Sequence, residues 1–153
     1  MCFHSEYPVM PTIRLMTLED YPTVLSLMQQ TPGLSIRDAD SLQATARYLE
    51  RNPGLSFVAE EAGQIVGCVM SGHDGRRGFL QHLMVLPSHR RQGLAHSLVE
   101  SCVKELTAQG IQKVHLDVFR SNTAAQSFWE NQGWQRREDI CRYSLICQGG
   151  SNA

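Results

Sequence analysis

The junction between an apolar segment and the helix after it, at residues 83–95, constrains the fold most. The apolar run ends at Pro87, which has no backbone N–H to extend a sheet ladder. Beyond the junction, apolar residues recur at helical spacing and predict a helix over residues 91–109, ended by Gly110. The first N–H groups of such a helix lack partners within it and suit a phosphate. Gly93 has no Cβ, so a ligand can approach the backbone closely.

Patterns on both sides of this junction predict a mixed sheet with helices. Alternating apolar and polar residues predict strands, and apolar residues at three- and four-residue spacing predict helices. Ala62 and Gly63 form the turn of a hairpin, and a right-handed parallel crossover follows it. The predicted strands are residues 12–16, 56–60, 64–73, 79–86, 113–119, 134–138 and 140–146, and the other predicted helices are 17–30, 40–51 and 122–132.

Several segments together resemble one protein family. Residues 90–95 fit the Arg/Gln-x-x-Gly-x-Gly/Ala signature of the GCN5-related N-acetyltransferases, the GNAT superfamily. Residues 67–72 and 114–118 resemble a hairpin strand and a parallel strand of that family. Residues 121–134 resemble its closing Asn-x-x-Ala…Tyr-x-x-x-Gly-Phe segment. The resemblance spans about residues 12–145 and is greatest to small bacterial single-domain members.

The fold class that follows is α/β (α+β), with a mixed, mostly antiparallel twisted sheet. We expect six to seven strands, about four helices and one parallel β-α-β crossover. Residues 12–147 are expected to form a single GNAT domain, because nothing in the sequence divides them. Residues 1–11 are predicted to be a flexible leader, and residues 148–153 a disordered tail.

The resemblance also implies a set of residues that bind the acetyl donor, acetyl-CoA. Its phosphates would lie on backbone donors at the helix start, and its pantetheine arm would pair with the strand backbone before it. The helix-start residues are Arg90, Arg91, Gln92, Gly93, Leu94 and Ala95, and the strand residues are Leu83, Met84 and Val85. Asn122 either contacts the cofactor arm or caps the last helix, a role that Asn fills readily. Trp129 is expected to pack on the cofactor.

Two residues are candidates for the general base. Asp117 lies between two apolar residues of a predicted strand, where aspartate is depleted. Some members of the family that the chain resembles carry a glutamate here that acts as general base. Alternatively, Asp117 caps the following loop. His82 lies on the strand before the junction, and imidazole titrates in the range that suits a base. Alternatively, His82 is a half-buried polar residue on the sheet surface without a catalytic role.

The sequence offers no clear general acid to protonate the leaving coenzyme A thiolate. The family usually has tyrosine where this chain has Trp129, and an indole N–H is a donor but no useful acid at neutral pH. Tyr143 is a distant alternative. On the acceptor side, Arg37, Asp38 and Asp40 fit either contacts to a charged substrate or a solvated loop, and no role is assigned to them.

The predicted function is therefore transfer of acetyl from acetyl-CoA to a primary amine, by direct attack in a ternary complex. The alternative is a non-catalytic acyl-CoA sensor or regulatory module, which Trp129 favours. The acceptor is a small-molecule amine or a protein or peptide amine, and a homodimer is plausible by family resemblance. The phosphate-binding loop lacks both common nucleotide-binding glycine patterns.

Composition excludes several other classes. A formal net charge of −1 gives no electrostatic footprint for nucleic acid or an acidic membrane. No segment is apolar for long enough to span a bilayer, and no secretory signal is evident, so a cytoplasmic location is expected. The five cysteines and six histidines share no metal-ligand spacing, which predicts no metal.

Overall fold

A five-stranded mixed sheet organises residues 10–153, the part of the chain that the computed structural model describes. The strands lie in chain order, and each of the first three pairs antiparallel with its successor. The last pair is parallel, as the predicted crossover requires. The strands are β1 (Thr12–Leu15), β2 (Phe57–Glu61), β3 (Gln64–His73), β4 (Gly78–Val85) and β5 (Val114–His115).

Four α-helices form within residues 10–153, which is the number that the sequence predicts. They are α1 (Tyr21–Gln30), α2 (Leu42–Arg51), α3 (Leu94–Ala108) and α4 (Thr123–Asn131). Short 3-10 turns at Leu18–Asp20 and Asp38–Asp40 precede α1 and α2. The predicted start of the long helix was wrong by three residues. Arg91 at φ +61° and Gly93 at φ +76° are left-handed, so the helical backbone begins only after them.

The sheet buries apolar side chains on both faces. On one face, Leu98 and Cys102 of α3 pack with β2, β3 and β4, and α4 completes this cluster. On the other face, Val24 and Met28 of α1 pack against Cys68, and α2 covers the edge of that cluster. Burial on both faces explains why β3 is apolar almost throughout instead of alternating.

The predicted number of six to seven strands was wrong. β5 covers two residues instead of 113–119, and residues 134–138 and 140–146 form no strand. Tyr143 and Leu145 are exposed, although such side chains favour sheets. A strand needs a partner ladder, and β5 leaves the sheet after His115, so the later segments have no edge to extend.

The ends of the chain add two observations. The predicted leader lies almost wholly outside residues 10–153, so it stays a prediction. At the other end, the Asp38 N–H donates to the Asn152 carbonyl at 2.9 Å, and the Asn152 amide donates to the Asp38 carboxylate at 3.1 Å. Within residues 10–153, no helix has the length and apolar character needed to cross a membrane.

Candidate active site

A cleft opens where β4 and β5 diverge. The two strands pair only through Gly78 with Val114 and Phe79 with His115, and then separate. A cavity of about 330 Å³ fills the gap. Its walls are the loop 31–35, residues 79–83 of β4 and the segment 116–119, with Asn122 and Trp129 at α4. Because β5 no longer pairs with it, this edge of β4 presents backbone groups to a ligand.

A β-bulge in β4 directs His82 toward this region. The pairing of Cys68 with Met84 and of Met70 with Gln81 leaves two residues of β4 opposite one residue of β3. His82 takes φ +53°, a left-handed conformation that costs a non-glycine residue about 1 kcal/mol. A bulge interrupts the strict side-chain alternation and can re-aim a side chain at a functional site.

His82 forms a short hydrogen bond with Asp40. Its Nε2 lies 2.7 Å from Asp40 Oδ1, and the two side chains are 16% and 9% exposed. A carboxylate oxygen only accepts, so Nε2 is the donor. Nδ1, the other ring nitrogen, has no hydrogen-bond partner in the described chain. His82 lines the cleft and also a second cavity of about 280 Å³, which Asp40 lines as well.

Asp40 is held rigidly by its own turn. Its Oδ2 accepts from the Arg37 N–H at 2.8 Å, and its carbonyl accepts from the Tyr21 hydroxyl at 2.7 Å. Sequence patterns assign Asp40 no role and predict a helix that begins at this residue. The sequence signal for this turn is weak, because Arg37 has no side-chain acceptor and only the acidic half of the capping pattern, Asp40, is present.

The loop at residues 90–95, predicted to bind phosphate, leaves its backbone open to a ligand. Arg91 and Gly93 take positive φ, and a Cβ at Gly93 would meet no atom within 4 Å. Across residues 91–95, no backbone N–H donates to an acceptor within the described part of the chain. The site therefore presents unpaired donors at the start of α3, with open space before them. Such a cradle fits the diphosphate of a coenzyme A molecule.

The side chains around this loop are mostly turned outward. Arg90 donates from Nε to the Val85 carbonyl at 3.3 Å. His89 hydrogen-bonds the Glu61 carboxylate of β2, which ties the loop to the sheet. Gln92 is exposed, whereas Leu94 is buried in the core cluster under α3. The loop therefore offers a ligand its backbone donors and the exposed Arg90 and Gln92.

The predicted strand residues divide between the cleft and the core. Leu83 lines the cleft, Met84 is buried on the α1 face, and Val85 pairs with Gly67 of β3. Backbone contacts with a ligand arm do not depend on which face a side chain takes.

Asn122 and Trp129 both line the cleft. The Asn122 side chain accepts from the Ala125 N–H at 3.1 Å, so the capping role predicted for it is present. Trp129 is buried and makes edge-to-face contacts with Phe128 and Trp134, each at a 5.0 Å centroid separation. Most of its ring is therefore committed to the core, and its remaining edge faces the cleft.

Asp117 lies on the cleft wall in a different setting from the predicted one. It follows β5 instead of lying within it, and its side chain is 57% exposed. Arg142 binds the carboxylate at 2.9 Å and also stacks over the Phe79 ring at 5.3 Å. An exposed ion pair accounts for the carboxylate without any catalytic role.

Burial controls the acidity of three groups near the site. It raises the pKa of the Cys68 thiol to about 12 and that of Cys102 to about 11. Burial also raises the pKa of Tyr48, on the second cavity, to about 12. All three are protonated at neutral pH, so neither buried thiol is an activated nucleophile.

Comparison with known proteins identifies the family. The acetyltransferase (GNAT) family model matches residues 21–134 of this chain. The chain belongs to the GNAT family. The family expected from the sequence motifs is thereby confirmed.

Named relatives support the activity of this GNAT protein. An acetyltransferase of Sodalis glossinidius (strain morsitans), SG1711, is 33% identical over 128 residues, which are 84% of this chain and 89% of the relative. The acetyltransferase ECA0875 of Pectobacterium atrosepticum is 36% identical over 118 residues, 77% of this chain and 83% of the relative. These relatives support an acyltransferase and do not favour the non-catalytic alternative.

A solved structure connects the GNAT fold with the donor. AAC(6')-Iy in complex with the bisubstrate analog CoA-S-monomethyl-acetylneamine is 25% identical to this chain, with a TM-score of 0.71. The match covers 91% of this chain and 100% of that chain. The mixed fold is thereby confirmed, and the bound analog supports acyl-CoA as the donor class.

Proposed function

We propose that this protein transfers an acetyl group from acetyl-CoA to a primary amine by direct attack in a ternary complex. One observation carries the proposal. His82, whose Nδ1 has no partner within residues 10–153, lines the cleft where β4 and β5 separate, on the same strand that leads to the start of α3. The groups proposed for donor anchoring and for proton acceptance thus lie along one strand and the loop after it, which supports the proposal.

In the proposed reaction, the amine nitrogen attacks the thioester carbon. A C–N bond forms, the C–S bond breaks, and coenzyme A leaves as the thiolate. Backbone donors of the bulged strand near Leu83 polarise the carbonyl oxygen, as preorganised N–H groups do in acyl transfer. The raised pKa values of the Cys68 and Cys102 thiols support direct attack over an acyl-cysteine intermediate.

His82 Nδ1 is the proposed acceptor of the amine proton. Two features support it over Asp117: a partly buried ring and a nitrogen with no partner in the described chain. Asp117 is exposed and paired with Arg142, so it is the second candidate. Trp129 cannot protonate the leaving thiolate, because indole is not acidic at neutral pH. Water or the amine substrate supplies the proton that the leaving thiolate takes up.

The proposed donor contacts follow the chain. The diphosphate lies on backbone N–H groups of residues 91–95, with Arg90 beside it, and the pantetheine amides pair with the free edge of β4 at Leu83, Met84 and Val85. Asn122 and Trp129 flank the thioester end from α4. The acceptor is a small-molecule, peptide or protein amine that enters past the loop 31–35.

Two glycines provide a matched test of the donor site. Gly93 and Gly75 both take positive φ, and a Cβ at either would meet no atom within 4 Å. Leucine at either position therefore costs a similar strain of about 1–2 kcal/mol. We expect Gly93→Leu to weaken acetyl-CoA binding about tenfold or more in calorimetry, because the side chain fills the phosphate cradle. Gly75→Leu should bind as the unmodified protein does.

An amine panel completes the test. Release of free thiol from acetyl-CoA is followed with amino acid, peptide, polyamine and aminoglycoside acceptors. Thiol release that requires an amine supports the transfer reaction. Equal binding by the two leucine variants would remove the assigned donor site, and absence of amine-dependent release across the panel would overturn the proposed function.

A further inference from the structure

Asp40 makes contacts that a loop carboxylate does not need. It is 7% exposed, although aspartate is rarely buried unless paired. Its three interactions come from three parts of the chain: its own turn, α1 and the β4 bulge. The contact with His82 joins residues 42 positions apart and links the helical layer to the strand that carries the proposed base.

We propose that Asp40 is the positioning residue for His82, and that the two form a carboxylate–imidazole dyad that holds the ring in its Nε2-protonated tautomer. The inference rests on the proposed function for its catalytic meaning and on the geometry alone for the tautomer. The dyad leaves Nδ1 unprotonated in the neutral ring, which is the form that can accept a proton from an amine.

The contacts of Asp40 determine which oxygen meets the ring. Oδ2 is taken by the Arg37 N–H at 2.8 Å, so Oδ1 is fixed toward Nε2 at 2.7 Å. The Tyr21 hydroxyl holds the backbone of the same residue. An acceptor anchored in this way can bind only an Nε2–H, and the short distance in a mostly buried site strengthens the bond.

The dyad also accounts for the left-handed backbone of His82. A φ of +53° persists only when surrounding contacts over-determine it. The bulge changes the direction of the strand at His82. The hydrogen bond to Asp40 fixes the orientation of the imidazole ring. When Nδ1 gains the amine proton, the ring becomes a cation beside a carboxylate. Asp40 keeps accepting from the Nε2–H across the same bond.

Asp40→Asn tests this arrangement sharply. The Arg37 N–H still needs an acceptor, so the amide oxygen of the variant occupies the Oδ2 position and its NH₂ group faces His82. An NH₂ donor requires an unprotonated Nε2, which forces the proton to Nδ1 and blocks the proposed base. We expect kcat to fall at least tenfold while KM for acetyl-CoA stays within about twofold, because a wrong tautomer leaves donor binding intact.

Asp20→Asn is the matched control. Asp20 is equally buried and caps an equivalent turn, but it contacts neither cavity. We expect its kcat to stay unchanged at a temperature where both variants are folded. A loss of kcat from both substitutions would identify a structural effect and overturn the positioning role.

Two further readouts separate positioning from folding. Asp40→Asn introduced into a His82→Gln background should cause no additional loss of residual activity, since the carboxylate acts through the ring. Long-range ¹H–¹⁵N NMR of the unmodified protein reports the tautomer of His82 directly, with the signal assigned by its disappearance in His82→Gln.

The outcomes are distinguishable from those of the proposed function. An Nε2–H tautomer that changes to Nδ1–H in Asp40→Asn supports the dyad, whether or not an acceptor amine has been found. An Nδ1–H tautomer in the unmodified protein overturns it. An additive loss in the double variant overturns the catalytic part. Absence of acetyl transfer with every amine, beside an intact Nε2–H signal, counts against the proposed function and leaves the tautomer assignment supported.

Discussion

Two turns of this protein have the same local construction and different partners. Thr17 to Asp20 precedes α1, and Arg37 to Asp40 precedes α2. In each, the aspartate accepts from the N–H three residues back, at 2.9 Å and 2.8 Å, and its own N–H donates to that residue's carbonyl. Both aspartates are 7% exposed. The local sequence therefore fixes each carboxylate in the same way relative to its helix.

The sheet determines what each carboxylate does. Asp20 accepts two guanidinium bonds from Arg14 of β1, both at 2.9 Å, and this hydrogen bonding lowers the pKa of Asp20 below its ordinary value. Arg14 is always charged, so this pair only stabilises the fold. Asp40 instead meets His82, the proposed base on the cleft wall. The two turns therefore differ in the residue that each aspartate contacts, which is Arg14 for Asp20 and His82 for Asp40.

The largest expected difference concerns turnover. His82→Gln removes the proposed base and should lower kcat/KM by about 10²- to 10⁴-fold, the usual contribution of general base catalysis. Arg14→Met removes the corresponding partner of Asp20 and should leave kcat/KM within about twofold, since it contacts neither cavity. Steady-state kinetics with one active amine decides the matter. Similar losses in both variants would erase the distinction between the two turns.

The next effect concerns stability and its dependence on pH. The depressed pKa of Asp20 means that its ion pair stabilises the fold above the ordinary value of 3.8, and that this contribution is lost as pH falls through the folded-state value. Arg14→Met should therefore lower the free energy of unfolding by about 1–3 kcal/mol at pH 7, with the difference shrinking below about pH 4.

Urea unfolding between pH 3 and 7 measures this difference. The prediction for Arg14→Met is contradicted by a gap from the unmodified protein that is constant across the range. His82→Gln serves as the reference, because it leaves the Arg14–Asp20 pair in place.

The smallest effect concerns the chain end, which within residues 10–153 hydrogen-bonds the second turn and not the first. Asn152 bonds the backbone and side chain of Asp38, and Arg37 reaches the Ser151 carbonyl at 3.4 Å. Truncation after Gly149 should change the free energy of unfolding by less than about 1 kcal/mol, because exposed hydrogen bonds contribute little. The His82 NMR signal should keep its position. A changed tautomer would show that the tail, in addition to the bulge, distinguishes the two turns.

Sequence alone predicts the parts of this protein that local patterns encode. The junction at residues 83–95 predicts both the crossover and the exposed backbone donors before α3, because Pro87 and Gly93 act through their own backbones. The residue type and position of His82 predict a candidate base, and the structure places this residue on the cleft wall. Its link to Asp40 is not predicted, since no local pattern reports a contact between a turn and a bulge 42 residues apart.

The predicted late strands fail for a related reason. The alternation of residues 140–146 is compatible with a strand, but a strand exists only with a neighbour. β5 ends at His115, and this leaves Tyr143 and Leu145 exposed. Asp117 lost its predicted strand position through the same early ending, and its ion pair with Arg142 comes from a segment that sequence patterns assign to a sheet.

The left-handed backbone at His82 places two selective demands in opposition. Glycine or asparagine adopts φ +53° with less strain than histidine does. Selection for stability alone would therefore favour replacement of histidine at this position. If the ring performs the proposed chemistry, lineages that keep the activity must tolerate a strained residue in their central sheet. Retention of histidine at position 82 among related sequences would then indicate selection for function against stability, and a comparison of sequences would show it without an assay.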